Sequence, residues 1–106
     1  MITINAQELK ELLAAWPGMA LLNVRPADTD LQDELPGSQH IPLAEFELRA
    51  QELPPDKDAV IAVYDLNLTC EASTKAGDIL EKFGYRHIYN FTDGVKGWKD
   101  AGFPVA

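Results

Sequence analysis

Ala59-Val60-Ile61-Ala62-Val63-Tyr64 is an uninterrupted apolar run, six residues long and rich in β-branched side chains. A run this short is a strand, and one with no polar alternation is buried on both faces, as in the middle of a parallel sheet. It breaks at Asp65-Leu66-Asn67-Leu68-Thr69-Cys70, and a helical pattern begins within a few residues. The loop between a buried parallel strand and the next helix is where open α/β sheets place their chemistry.

The rest of the chain fits around that strand. Thr3 and Ile4 suggest a short opening strand; Asn5 reads as a helix N-cap with Glu8 as its capping-box partner. Leu9, Leu12, Leu13 and Trp16 recur at helical spacing before Pro17-Gly18 stops the helix. Ala20 to Val24 is a strand candidate, followed by a polar, acidic loop from Arg25 to about Gln39. His40 to Leu43 reads as a brief strand or extended segment. A helix carrying Phe46, Leu48 and Leu53 is expected to end at Pro54-Pro55, with Asp56-Lys57-Asp58 turning into the buried strand. Ala72, Ala76, Ile79, Leu80 and Phe83 mark one helix face that Gly84 can cap. His87 to Phe91 is the last strand, Asp93-Gly94 a turn, and Trp98 sits in a short closing helix. Strands alternating with helices predict an α/β fold with a central, mainly parallel sheet of about five strands flanked by helices. At this length the expectation is a single domain over residues 1–106, large enough for a core without staples.

Composition excludes several function classes. Seventeen Asp and Glu against nine Lys and Arg give a net charge of −8. Nucleic acids and anionic membranes need clustered cations, so neither is an expected partner. A single cysteine forms no intramolecular disulfide and closes no cysteine-based zinc cage. Met1 to Glu8 lacks a basic start and a long apolar stretch, and no apolar run reaches the roughly 18 residues of a membrane span. The expected compartment is the cytoplasm. Asp28, Asp30, Asp33 and Glu34 hint at a calcium loop, but an EF-hand begun at Asp28 requires glycine where Asp33 stands and glutamate where Gln39 stands. His40 and His87 have no ligand-spaced companions. No metal and no cofactor are expected.

Several segments together resemble the rhodanese-like family of sulfurtransferases. Leu22-Asn23-Val24-Arg25 is similar to the family's Leu-Asp-Val-Arg strand end. Leu35-Pro36-Gly37-Ser38-Gln39-His40-Ile41-Pro42 is similar to its Ile-Pro-Gly-Ala-x-Asn-Ile-Pro. Val63-Tyr64-Asp65 stands where the family has Val-Tyr-Cys, and Ala101-Gly102-Phe103-Pro104-Val105 resembles its closing Ala-Gly-Leu-Pro-Val. The resemblance covers nearly the whole length. It implies a site in which a cysteine ends the buried strand and carries a persulfide, with loop N–H groups and a helix N-terminus stabilising the sulfur anion.

The family's usual loop is Cys-x-x-Gly-x-Arg-Ser. Counted from the strand, Asp65 takes the cysteine position; counted back from Ile79-Leu80, Asn67 does, because this loop is about two residues longer. Neither is a thiol, and an aspartate cannot take up sulfane sulfur. Cys70 is the alternative nucleophile, because Cys70-Glu71-Ala72-Ser73 resembles the second half of a Cys-x-x-x-x-Cys-x-Ala-Ser pattern found in some members. That match again assigns Asp65 to the first cysteine. A helix start lowers a thiol pKa, whereas Glu71 and Asp65 oppose it and no Lys or Arg lies between Asp65 and Thr74. The phosphatases sharing this fold need an arginine six residues after their cysteine, and six on from Cys70 is Ala76. Asp65 has a structural reading, as an acceptor for loop N–H groups in place of the persulfide anion. It also has a catalytic one, as a general base whose partner the sequence does not reveal. Arg25 is read as securing the adjacent turn, Trp16 and Trp98 as core.

Two expectations follow. The first is a degenerate sulfur-transfer site, non-catalytic or weak, retained for binding or regulation in sulfur metabolism. The second is a sulfurtransferase or sulfur relay forming a persulfide on Cys70, with a protein sulfur donor or acceptor as partner. The active-site loop on either reading comprises Asp65, Leu66, Asn67, Leu68, Thr69, Cys70, Glu71, Ala72 and Ser73.

Overall fold

The computed structural model describes residues 1–26, 33–66 and 71–106. Five strands form one sheet: β1 (Ile2–Thr3), β2 (Ala20–Asn23), β3 (Gln39–His40), β4 (Val60–Tyr64) and β5 (His87–Phe91). Their order is β1-β5-β4-β2-β3, and every pairing is parallel. β4 is the middle strand, in register with β2 (Leu22 opposite Val63) and with β5 (Val63 opposite Asn90). The helices are α1 (Ala6–Ala15), α2 (Ala72–Lys82) and α3 (Gly94–Asp100). The α/β architecture and five-stranded parallel sheet agree with the sequence pattern.

The strand alternation explains why β4 carries no polar residue. Ile61 and Val63 face one cluster with Leu22, Val24, Ala76, Leu80 and Ile88, under α2. Ala62 and Tyr64 face the other with Leu9, Leu21, Phe91, Val95 and Trp98, under α1 and α3. Successive side chains point to opposite faces, so a strand covered on both must be apolar throughout. Fully burying side chains such as Leu9 and Leu80 is worth roughly 1.5–3 kcal/mol each.

α1 begins as its sequence requires. The Glu8 N–H donates to Asn5 Oδ1 at 2.8 Å, and the Asn5 N–H to Glu8 Oε1 at 3.0 Å. This closes a reciprocal capping box.

Two expectations are corrected. Residues 43–53 do not form one helix; Leu43–Glu45 and Ala50–Glu52 are separate 3₁₀ turns. Phe46 and Leu53 are buried as the pattern suggests, but Leu48 is 78% exposed, so the three do not share a face. Trp16 is not core: it is the C-cap of α1, with φ −129° and ψ 72°, and is 56% exposed. Leaving helical geometry at that residue carries the indole off the face that holds Leu9. Trp98 is buried, its Nε1–H donating to the Pro104 carbonyl at 2.8 Å. Among the described residues no helix is long and apolar enough to cross a membrane.

Candidate active site

Because all five strands are parallel, their C-terminal ends share one edge of the sheet. That edge gathers Asn23-Val24-Arg25 after β2, Asp65-Leu66 after β4, the β5–α3 turn and the start of α2. Asp65, which follows β4 directly, is 3% exposed. Its Oδ1 accepts the Leu66 N–H at 2.7 Å. Burial pushes the carboxyl above the ordinary aspartate range, while the Leu66 N–H and the positive charge of Arg25 pull it back without prevailing.

The backbone here is held from α3. The Val95 N–H donates to the Asp65 carbonyl at 3.1 Å and the Lys96 N–H to the Leu66 carbonyl at 3.0 Å. A helix's first turn has N–H groups without intrahelical acceptors. Two of these fasten residues 65 and 66, where β4 ends. Gly94 opens α3 with φ +63°, a left-handed value that glycine adopts without penalty.

Beneath the edge lies a layer of buried polar groups. Arg25 is 1% exposed; the Asn23 side chain accepts its N–H at 3.2 Å and donates to Glu34 at 3.3 Å. His40 Nε2 lies 2.8 Å from the Arg25 carbonyl, so on this side the ring nitrogen carries the proton and donates. The Tyr64 hydroxyl accepts the Leu35 N–H at 3.1 Å and donates to Ser38 Oγ at 2.7 Å. Burial is the main reason its phenol is raised above the usual tyrosine value. Asn90, on β5, donates to Thr74 of α2 at 3.0 Å; its Oδ1 is buried with no partner among the described residues.

The structure brings Asp65, Leu66, Glu71, Ala72 and Ser73 to this edge, with Ser73 buried and Glu71 preceding α2 as its N-cap. The remaining loop candidates, Asn67, Leu68, Thr69 and Cys70, lie outside the described residues, as do Asp28 and Asp30 of the acidic loop. His87 is exposed, 3.7 Å from Asp58, and far from this edge at the opposite end of β5. Sequence reasoning missed the buried pair Asn23 and Asn90. Their signal is a polar residue in a strand at a position whose neighbours are core.

The Rhodanese-like domain family model matches residues 5–101. The chain is 31% identical over 86 residues to the thiosulfate sulfurtransferase PspE of Escherichia coli, covering 78% of this chain and 74% of that protein. It is 33% identical over 87 residues to the HTH-type transcriptional regulator Rv0324 of Mycobacterium tuberculosis, covering 82% of this chain but 37% of the regulator. The crystal structure of a thiosulfate sulfurtransferase from Pseudomonas aeruginosa superposes with a TM-score of 0.84 at 27% identity, over 99% of this chain and 20% of that one. The chain therefore spans well under two-thirds of the length of some of its relatives.

Proposed function

This chain belongs to the rhodanese-like family, and from that premise we propose that its sulfur-transfer site is degenerate and serves binding or regulation in sulfur metabolism. The supporting observation is the buried Asp65 carboxylate immediately after β4, with its backbone fastened to α3. Sulfur transfer through this position needs a soft nucleophile that can form and break an S–S bond. A carboxylate oxygen forms no such bond, and Asp65 already spends one lone pair on the Leu66 N–H. What it supplies is a fixed acceptor at the end of the strand, consistent with a site that orders its loop without carrying cargo. On this reading residues 1–106 act as one cytoplasmic domain without metal or cofactor, whose partner is a protein sulfur donor or acceptor.

The test is thiosulfate:cyanide sulfurtransferase activity against a heat-denatured control. The expected result is turnover indistinguishable from that control; appreciable turnover defeats the reading.

A second reading rests on α2 beginning at Ala72, two positions after Cys70. Thiols at helix starts are acidified, and on this reading Cys70 is the persulfide-forming group. Incubation with a persulfide donor then adds one sulfur atom to the mass of the protein. A Cys70→Ser variant gaining the same mass would remove Cys70 as the carrier.

A further inference from the structure

At the N-terminal ends of the strands, opposite the site, the chain forms a second concavity of about 730 Å³. Its walls are Trp16 and Pro17 from the end of α1, and Leu53, Pro54 and Pro55 from the segment before β4. The indole is more than half exposed. Tryptophan this accessible, set in a groove between prolines, offers an aromatic face to an incoming side chain. The lining is also one-signed. Glu52, Asp56 and Asp58 contribute carboxylates, and no Lys or Arg among the described residues lines the groove. Arg49 and Arg86 pair with Glu52 and Asp58 from outside the lining, whereas Asp56 makes no ion pair among the described residues.

We propose that this groove binds a cationic peptide segment of a partner protein, with an apolar side chain seated against Trp16 and Leu53 and Lys or Arg side chains along the carboxylate rim. Indole faces attract Lys and Arg as well as apolar groups, so one residue serves both halves of such a segment. Rim carboxylates steer cations and repel acidic chains. A second copy of this chain is a poor occupant, since it brings the same three carboxylates and a net charge of −8. The proline walls offer no N–H donors, so recognition runs through side chains and carbonyl acceptors, which suits a cationic guest.

The experiment titrates the full chain with a synthetic peptide of alternating leucine and lysine, using a glutamate-for-lysine peptide as control. Trp98 is buried, so a shift of indole emission to shorter wavelength reports on Trp16. The expected result is saturable binding of the lysine peptide alone. Trp16→Ala weakens it about tenfold or more, as interface tryptophans do. Asp56→Asn, which keeps the acceptor that Asp56 Oδ1 gives the Asp58 N–H, weakens it a few-fold and flattens its salt dependence. Leu48→Ala, exposed elsewhere, leaves it unchanged. Should Trp16→Ala lose its circular dichroism, amide shifts of the unmodified chain decide: perturbations centred on Trp16, Leu53 and Ala59 support the proposal, and perturbations centred on Asp65 and Leu66 overturn it. Equal binding of the glutamate peptide, full affinity in a folded Trp16→Ala, no binding at millimolar peptide, or sedimentation showing self-association through Trp16 each overturn it as well.

Discussion

The two ends of the sheet are built on opposite principles. At the C-terminal end polar groups are buried and, Asn90 Oδ1 apart, mostly engaged: Arg25, Asn23, Tyr64, Asp65 and Asn90 are each at most 3% exposed. At the N-terminal end an apolar side chain, Trp16, stands in solvent beside exposed carboxylates. Buried polar groups are costly unless partnered, so the first end is a tightly coupled network in which one deletion strands its neighbours. The second end is a surface, where a deletion removes contact area and little else. The lesson is that the degenerate reading of the site concerns its side-chain chemistry, not its organisation.

The sharpest way to break this contrast is Arg25→Met. Arg25 is fully buried and its charge favours the Asp65 carboxylate, so removing it breaks into a buried polar network, and the expected loss is about 3 kcal/mol. Thermal unfolding reads this as a drop of more than about ten degrees for a domain this size. Pairing it with Asp65→Asn should restore part of the loss, the signature of direct coupling in a double-mutant cycle. Additive effects would show that the two groups do not share a network.

Next is Tyr64→Phe, which deprives the Leu35 N–H of its acceptor and Ser38 of its donor. A loss of about 1–3 kcal/mol in urea unfolding is expected; an unchanged midpoint would mean that water replaces the hydroxyl.

Asp65→Asn alone has a smaller effect of opposite sign at neutral pH. The raised carboxyl means that the folded chain holds this proton more tightly than the unfolded chain. The associated stability is fully present below the ordinary aspartate pKa of about 4 and is lost as pH rises through the elevated value. Asp65→Asn, which mimics the neutral form, should melt a few degrees higher than the parent at pH 7. The gap should close as the pH falls towards about 4. An Asp65→Asn variant that melts below the parent at pH 7 would show that Arg25 and the Leu66 N–H outweigh burial. Trp16→Ala completes the series: a change within about 0.5 kcal/mol is expected from chemical denaturation, and a larger one would make the indole part of the core after all.

Where the sequence was legible, one physical signal dominated. The apolar run 59–64 could only be a strand covered on both faces, and Asn5 with Glu8 could hardly be anything but a helix start. Residues 43–53 misled because a stretch bounded by prolines was read as one helix, whereas it is broken into two separate 3₁₀ turns. Leu48 stands two positions from Phe46 and five from Leu53, off any shared helical face, and points to solvent. Trp16 misled for a related reason, since it completes the face of α1 in spacing while the helix ends one residue earlier. Of the candidate site, the position of Asp65 at the end of β4 was legible, because the apolar run that precedes it has only one reading. The partners of Asn23 and Asn90 were not, because the acceptors for their amide N–H groups come from Glu34 and Thr74, 11 and 16 positions away in the chain.

The hold that Val95 and Lys96 exert on residues 65 and 66 passes entirely through main-chain carbonyls. Such a grip is blind to side-chain identity: any residue that tolerates the backbone path is presented at the same spot. A lineage could therefore exchange the group displayed there without rebuilding its surroundings. The scaffold keeps an address, whichever side chain occupies it.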